Sequence, residues 1–327
     1  MIEMKQLRIV FFGTPEFAVE SLEALIGAGF DIAAVVTMPD KIGGRGHRVI
    51  ESAVKLAAIA HGLPVLQPEK LSAPEFVDKL KEIAADLFIV IAFRMLPRVV
   101  WTMPPMGTFN LHASLLPRYR GAAPINRAIM NGETRTGVTT FLLKHEIDTG
   151  DILAQESTAI GPDENVGSLY GRLMKIGAGL TVSTVRAIAE GTAKPVPQDN
   201  VTVDGELPAA PKIFHSDCRI DWTASAENIH NLVRGLSPMP GAWCDVSSRG
   251  PEAAADYTLK ILRTARTDCE APDPGMLRLV GGQLVAGTAG GAIVLLEVQQ
   301  AGKKVMDAVE WYRGTRDGVD GRCICLI

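Results

Sequence analysis

Short apolar runs alternate with amphipathic stretches of helical period over the first part of the chain. Residues 8–12 (RIVFF), 31–37 (DIAAVVT), 64–66 and 86–93 (DLFIVIAF) read as strands, and residues 15–26, 51–61 and 74–83 as helices. The run 86–93 is the most apolar in the chain, which predicts a strand buried on both faces, as in a parallel sheet. A short helix follows Pro97, and Pro124 opens another that reaches Met130. Residues 138–143 and 152–160 are further strands, and residues 166–189 form a long helix closed by Gly191. Residues 39–49 (PDKIGGRGHRV) are too rich in glycine and charge to form an element. Strands alternating with helices predict a doubly wound, mostly parallel α/β sheet whose site lies at the carboxyl ends of its strands.

The texture then changes. Residues 194–212 contain Pro195, Pro197, Pro208 and Pro211 with little apolar periodicity, which predicts a linker between a domain at 1–193 and another at 213–327. The second has one helix (224–233) and short β-type runs at 242–246, 257–262, 276–280, 283–287 and 292–298. Gly281-Gly282 marks a two-residue hairpin turn. This pattern predicts a small β-barrel of oligonucleotide-binding (OB) type.

Composition narrows the function classes. An apolar content of 47% over 327 residues is ample for packed cores, and no run is long enough to span a membrane. The start MIEMKQLRIVFFG lacks the features of an export signal, so a cytoplasmic protein is expected. The cysteines all lie in the last third without paired spacing, which argues for free thiols and against a zinc site or a disulfide framework. No metal-binding cluster is visible. The turn GTPEFA after the first strand lacks the glycine fingerprint of dinucleotide binding and the lysine of a phosphate loop. A net charge of −4 requires any nucleic-acid contact to come from a local basic patch.

The candidate chemistry lies in residues 107–151. Asn110 and His112 stand two apart on a short strand and so point to one side. The loop Ser114-Leu115-Leu116-Pro117-Arg118-Tyr119-Arg120-Gly121 follows, and the next strand ends in Asp148-Thr149-Gly150-Asp151. A carboxylate there is expected to turn back toward the imidazole, bringing amide, imidazole and carboxylate together.

This ordered set resembles the folate-dependent formyltransferases and, within them, the methionyl-tRNA formyltransferases. The segments IDW, VRGLSPMPGAW and the run from Pro274 to Lys304 extend the likeness over nearly the whole chain. The resemblance implies formyl transfer from 10-formyltetrahydrofolate to the α-amino group of initiator Met-tRNA, by direct amine attack on a monomeric enzyme without a metal. It gives Asn110, His112 and Asp148 the catalytic roles and Ser114, Leu115, Leu116 and Pro117 the folate contacts, made largely through backbone groups. Lys41, Arg45, His47 and Arg48, in a basic glycine-rich loop, would reach the tRNA, with Lys303 and Lys304 completing a basic strip. Arg94 and Glu146 stand where similar proteins carry glycine, and His47 where lysine is common. Formyltransferases acting on a sugar nucleotide or a purine-pathway ribonucleotide share the catalytic set and are the alternative.

Overall fold

The computed structural model of the chain describes residues 7–43, 48–203, 205–250, 254–315 and 325–327. In chain order the elements begin β1 (Arg8–Gly13), α1 (Glu16–Gly27), β2 (Asp31–Val36), β3 (Lys41–Gly43), β4 (Arg48–Ile50), α2 (Ala53–Ala60), β5 (Val65–Leu66), α3 (Pro74–Ile83) and β6 (Leu87–Ile91). They continue with α4 (Arg98–Trp101), β7 (Thr108–His112), β8 (Arg120–Gly121), α5 (Pro124–Met130), β9 (Arg135–Leu142), β10 (Ile152–Ala159), α6 (Val166–Ala189) and β11 (Ala209–Ala210). The remainder is α7 (Ala226–Leu236), β12 (Ala242–Ser247), β13 (Tyr257–Thr267), β14 (Leu277–Val280), β15 (Gln283–Thr288), β16 (Gly291–Gln300), β17 (Met306–Asp307), α8 (Ala308–Gly314) and β18 (Cys325–Leu326).

The chain divides into two compact units. The first comprises Met1–Gly121, Thr136–Thr158 and Tyr170–Ala210; the second comprises Ala122–Arg135, Ala159–Leu169 and Pro211–Ile327.

The first unit is built on a seven-stranded sheet of order β10-β9-β7-β6-β1-β2-β5. β1 pairs in parallel with β2 and β6, as do β2 with β5 and β6 with β7, while β9 runs antiparallel to β7. This is the mostly parallel, doubly wound arrangement that the alternation of elements predicts. All five residues of β6 are buried, because helices cover both faces of an inner parallel strand. Phe12 and Phe88 meet with ring centroids 5.3 Å apart in a core completed by Leu80, Val90 and Val100. The strand order reverses between β1 and β6, so the carboxyl ends of β6 and β7 open beside the switch point of the sheet.

Residues 39–49, read as having no element, contain the short hairpin of β3 and β4, with Ile42 opposite Val49. Neither strand has a buried face to leave a period in the sequence: Ile42, Val49 and Ile50 are all exposed. Lys41 is exposed on β3, Arg48 lies on β4, and Arg45 and His47 lie outside the described residues.

In the second unit an antiparallel sheet follows the path β14-β15-β16-β13-β12-β18, and a bridge between Met276 and Cys325 links its two ends. That link curls the sheet into a small closed barrel. The turn between β14 and β15 is Gly281-Gly282, with φ of 57° and 85°, the positive values a tight hairpin turn requires. α7 lays Ile229, Val233 and Leu236 into a core shared with Ile261, Leu284, Leu295 and Trp311. α8, unread in the sequence, is a seven-residue helix capped by Asp307, which accepts from the N–H groups of Val309 and Glu310. Its brevity leaves too few residues for a helical period.

Candidate active site

β7 carries Asn110 and His112 between two partners. Val90 of β6 stands beside Asn110 on one side, and Phe141 and Thr139 of β9 stand opposite Asn110 and His112 on the other. His112 is 7% exposed. Its Nε2 lies 2.8 Å from the carbonyl oxygen of Tyr119, which can only accept, so Nε2 holds a proton and donates it. Nδ1 is thereby left facing Asp148, at 3.7 Å from Oδ2. That distance is too long for a hydrogen bond and makes an ion pair only when Nδ1 also carries a proton. The edge of Phe141 closes the ring in from the side, with centroids 6.5 Å apart.

Asp148 is placed by contacts far from it in sequence. Its backbone φ is 56°, in the left-handed region, and its Oδ2 accepts the backbone N–H of Gly121 at 2.9 Å. The neighbouring Asp151, the other carboxylate of the motif, turns away to Lys144 at 2.6 Å. His145 and Glu146 are exposed on the same turn. No described residue bonds the half-buried Asn110 amide, which leaves two N–H donors at the middle of β7, two residues before His112.

The loop at 114–117 is held by two polar side chains that the sequence reading passed over. Thr139 donates its hydroxyl to the Ser114 carbonyl at 2.6 Å and accepts the Leu116 N–H at 3.2 Å. Gln155 Nε2 donates to the Leu116 carbonyl at 2.8 Å, and Leu116 packs on Phe141 and Ile152. The Ser114 hydroxyl donates to the Arg118 carbonyl at 2.7 Å. These main-chain groups are therefore committed within the chain. Arg94, which follows β6, turns its guanidinium onto the carbonyls of Pro68 and Glu69, and burial lowers its pKa. Arg120 directs its fork to Gln198.

Comparison with known proteins decides the family. Residues 7–185 match the family described as Formyl transferase, and residues 212–316 match the Formyl transferase, C-terminal domain. A methionyl-tRNA formyltransferase of Bacteroides fragilis is 47% identical over 314 residues, covering 96% of either chain. One of Porphyromonas gingivalis is 48% identical over 316 residues, covering 96% of this chain and 97% of its own. The chain belongs to the methionyl-tRNA formyltransferase family. Among solved structures, WlaRD, a sugar 3N-formyl transferase determined with dTDP and 5-N-formyl-THF, superposes with a TM-score of 0.63 at 19% identity, covering 91% of this chain and 99% of that one. HypX from Aquifex aeolicus with tetrahydrofolic acid gives 0.61 at 19% identity, covering 96% and 48%. Those two likenesses are of fold.

The formyltransferase family supplies a reason for the site's plan. Acyl transfer needs hydrogen-bond donors where an oxyanion develops and a proton acceptor beside the attacking atom. The groups present at this place are the amide of Asn110 and the Asp148 carboxylate beside His112 Nδ1. Among the described residues no group of three or more His, Cys, Asp and Glu side chains is arranged to hold a metal ion, and no helix is long and apolar enough to cross a membrane.

Proposed function

We propose that this chain transfers a formyl group from 10-formyltetrahydrofolate to the α-amino group of methionine on initiator Met-tRNA, in the initiation of translation. The observation that carries the reading is the pairing of His112 Nδ1 with Asp148 Oδ2 beside the uncommitted amide of Asn110, in a chain whose relatives at 47–48% identity are methionyl-tRNA formyltransferases.

The residues present fit a folate. Phe93 to Leu96, after β6, make no backbone–backbone hydrogen bond, so their main-chain donors and acceptors would be available to a flat heterocycle beyond the carboxyl end of β6. Ser114, Leu115, Leu116 and Pro117 would frame that pocket by shape, with their backbone held from behind by Thr139 and Gln155. When bound, the folate supplies an activated formyl carbon.

The chain's own groups then have separate tasks. Asn110 donates to the formyl oxygen as it gains charge. His112, fixed through Nε2, presents Nδ1 and, when protonated, supplies a second donor. Asp148 accepts the proton that the amine sheds on attack, directly or through water. The amine would add to the formyl carbon first, its charge collecting on the oxygen that Asn110 faces, and the bond to the folate nitrogen would break afterwards, that nitrogen leaving with one proton. An α-amino group, with a pKa of about 7.7–8, is partly deprotonated at neutral pH, so no activated serine or cysteine is required.

Lys41 on β3 and Lys303 and Lys304 in the turn after β16 are exposed and would contact tRNA phosphates. The test is formyl transfer to Met-tRNA by the wild-type chain, His112→Ala and Asp148→Asn, with a sugar nucleotide as the competing acceptor. Activity on Met-tRNA that both substitutions lower by roughly 10²–10⁴, to a residual rate still measurable in single turnover, is the expected result. Formylation of the sugar nucleotide alone would replace the acceptor.

A further inference from the structure

Gln198 lies in the proline-rich segment after α6, where the sequence suggested only a linker, and the scheme above does not use it. It is 4% exposed, and its amide is engaged at both ends. Nε2 donates to the carbonyl oxygens of Asp148 and Gly150, each at 2.8 Å. Oε1 accepts from Arg120 Nε at 3.0 Å and from Nη2 at 2.6 Å. One side chain therefore joins the turn that carries Asp148 to the loop whose Gly121 N–H grips the Asp148 carboxylate.

The rest of the segment is stitched along the same two pieces of chain. Val196 and Ile152 exchange both backbone hydrogen bonds at 2.8 Å. Tyr119 N–H donates to the Pro208 carbonyl at 2.6 Å, and Ala209 and Ala210 pair with Arg120 and Gly121. The turn needs such support. Asp148 occupies the left-handed region, which costs an L-residue roughly 1–2 kcal/mol, so local preference does not hold its carboxylate toward His112.

We infer that Gln198, oriented by Arg120, is a positioning residue for formyl transfer: it fixes the backbone of residues 148 and 150 so that the Asp148 carboxylate faces His112 Nδ1. The chemistry at this point selects glutamine. Two carbonyls on one side require two N–H donors, and the guanidinium on the other requires an acceptor; a neutral primary amide supplies both. Glutamate would keep the partner of Arg120 and lose both donors, setting a carboxylate oxygen against two carbonyls.

The inference rests on the formyl-transfer reading, and the experiment separates the two. Gln198→Glu is measured for kcat and KM on Met-tRNA, alone and in an Asp148→Asn chain. Gln198→Glu is expected to lower kcat on the order of 100-fold, the cost of a misplacement of about 1 Å, with KM for either substrate changed less than about threefold. In the Asp148→Asn chain it is expected to lower kcat no further, because it acts through that carboxylate. Retained kcat, or an equal further loss in the Asp148→Asn chain, would overturn the inference by reducing Gln198 to an anchor for Arg120. Arg120→Gln carries the same comparison should Gln198→Glu fail to fold.

An inactive wild-type chain would refute the acceptor reading alone. The positioning role is then read from amide exchange: Gln198→Glu is expected to speed exchange over residues 146–151 roughly tenfold, leaving the rest of the chain unchanged. Unaltered exchange there overturns it.

Discussion

The backbone N–H of Gly121 donates to Asp148 Oδ2 at 2.9 Å, and this bond exists because residue 121 has no side chain. Its φ is 127°, where side-chain-bearing residues are strained, and a Cβ there would collide with the Ala210 carbonyl oxygen. Gly121→Ala is therefore expected to destabilise the chain by about 2 kcal/mol or more and to lower kcat by releasing the carboxylate. Thermal melting and steady-state kinetics together check this; a variant with wild-type melting and wild-type kcat would refute it.

Gly150 meets a comparable limit for a different reason. Its φ is unexceptional, but a Cβ would run into the Leu142 carbonyl oxygen at the end of β9. Gly150→Ala must displace the turn carrying Asp148 and is expected to reduce kcat at least tenfold with little change in KM. Single-turnover measurement of the chemical step is the check.

Asn110 offers donors that no other described side chain occupies. Asn110→Ala is expected to cost about 2.7–4 kcal/mol in the barrier, a loss of roughly 10²–10³ in kcat, with the fold intact. Aspartate in its place keeps the shape but removes the donors and adds a like charge near Asp148, so Asn110→Asp is expected to be at least as inactive as alanine. A more active aspartate variant would point away from an oxyanion donor.

His230 makes the second unit sensitive to acid. It is 1% exposed on α7, with Nδ1 at 2.9 Å from the Thr264 hydroxyl and Nε2 at 3.3 Å from the Pro162 carbonyl. Burial, followed by the charges of Arg266 and Arg234, lowers its pKa, against the opposing effects of the Pro162 carbonyl and of Asp163, 3.2 Å from Nε2. The unfolded imidazole takes up its proton near the ordinary value of 6.5 while the folded one resists. Stability is thus fully present above pH 6.5 and declines as pH falls below it, by at most about 1.4 kcal/mol per pH unit. Melting temperatures between pH 7.5 and 5 should fall less steeply in His230→Gln than in the wild type.

Cys244 is fully buried, and burial pushes its thiol pKa up to about 12; burial also raises that of Cys218. Neither offers thiolate to an electrophile near neutral pH. Iodoacetamide is expected to modify the partly exposed Cys269 before either of them. Peptide mapping after brief alkylation provides the measurement.

What could be read along the chain is what neighbours in sequence encode. β6 was legible because a strand covered on both faces is apolar at every position, and α6 because a long helix repeats its apolar face many times. Gly281-Gly282 was legible because two successive positive φ values favour glycine. His112 and Asp148 were legible as a histidine on a short strand and an acidic turn after a later one, and the expected return of that carboxylate toward the imidazole is found at 3.7 Å. The hairpin of β3 and β4 was not, since neither strand buries a face, and α8 was not, since it is a single capped stretch.

Only the tertiary structure decided which atoms work together. It commits His112 Nε2 to the Tyr119 carbonyl and turns Nδ1 to Asp148; it sends Asp151 to Lys144; it gives Gln198 to the turn at 148–150, about fifty positions away. These choices depend on the register of β7 against β9 and on how the chain returns along the first unit after α6. Such long-range pairing leaves no period in the sequence, so the sequence by itself determined the elements and the chemical groups available, while the pairing of β7 with β9 in the open sheet of the first unit and the returning segment determined the geometry that brings them together.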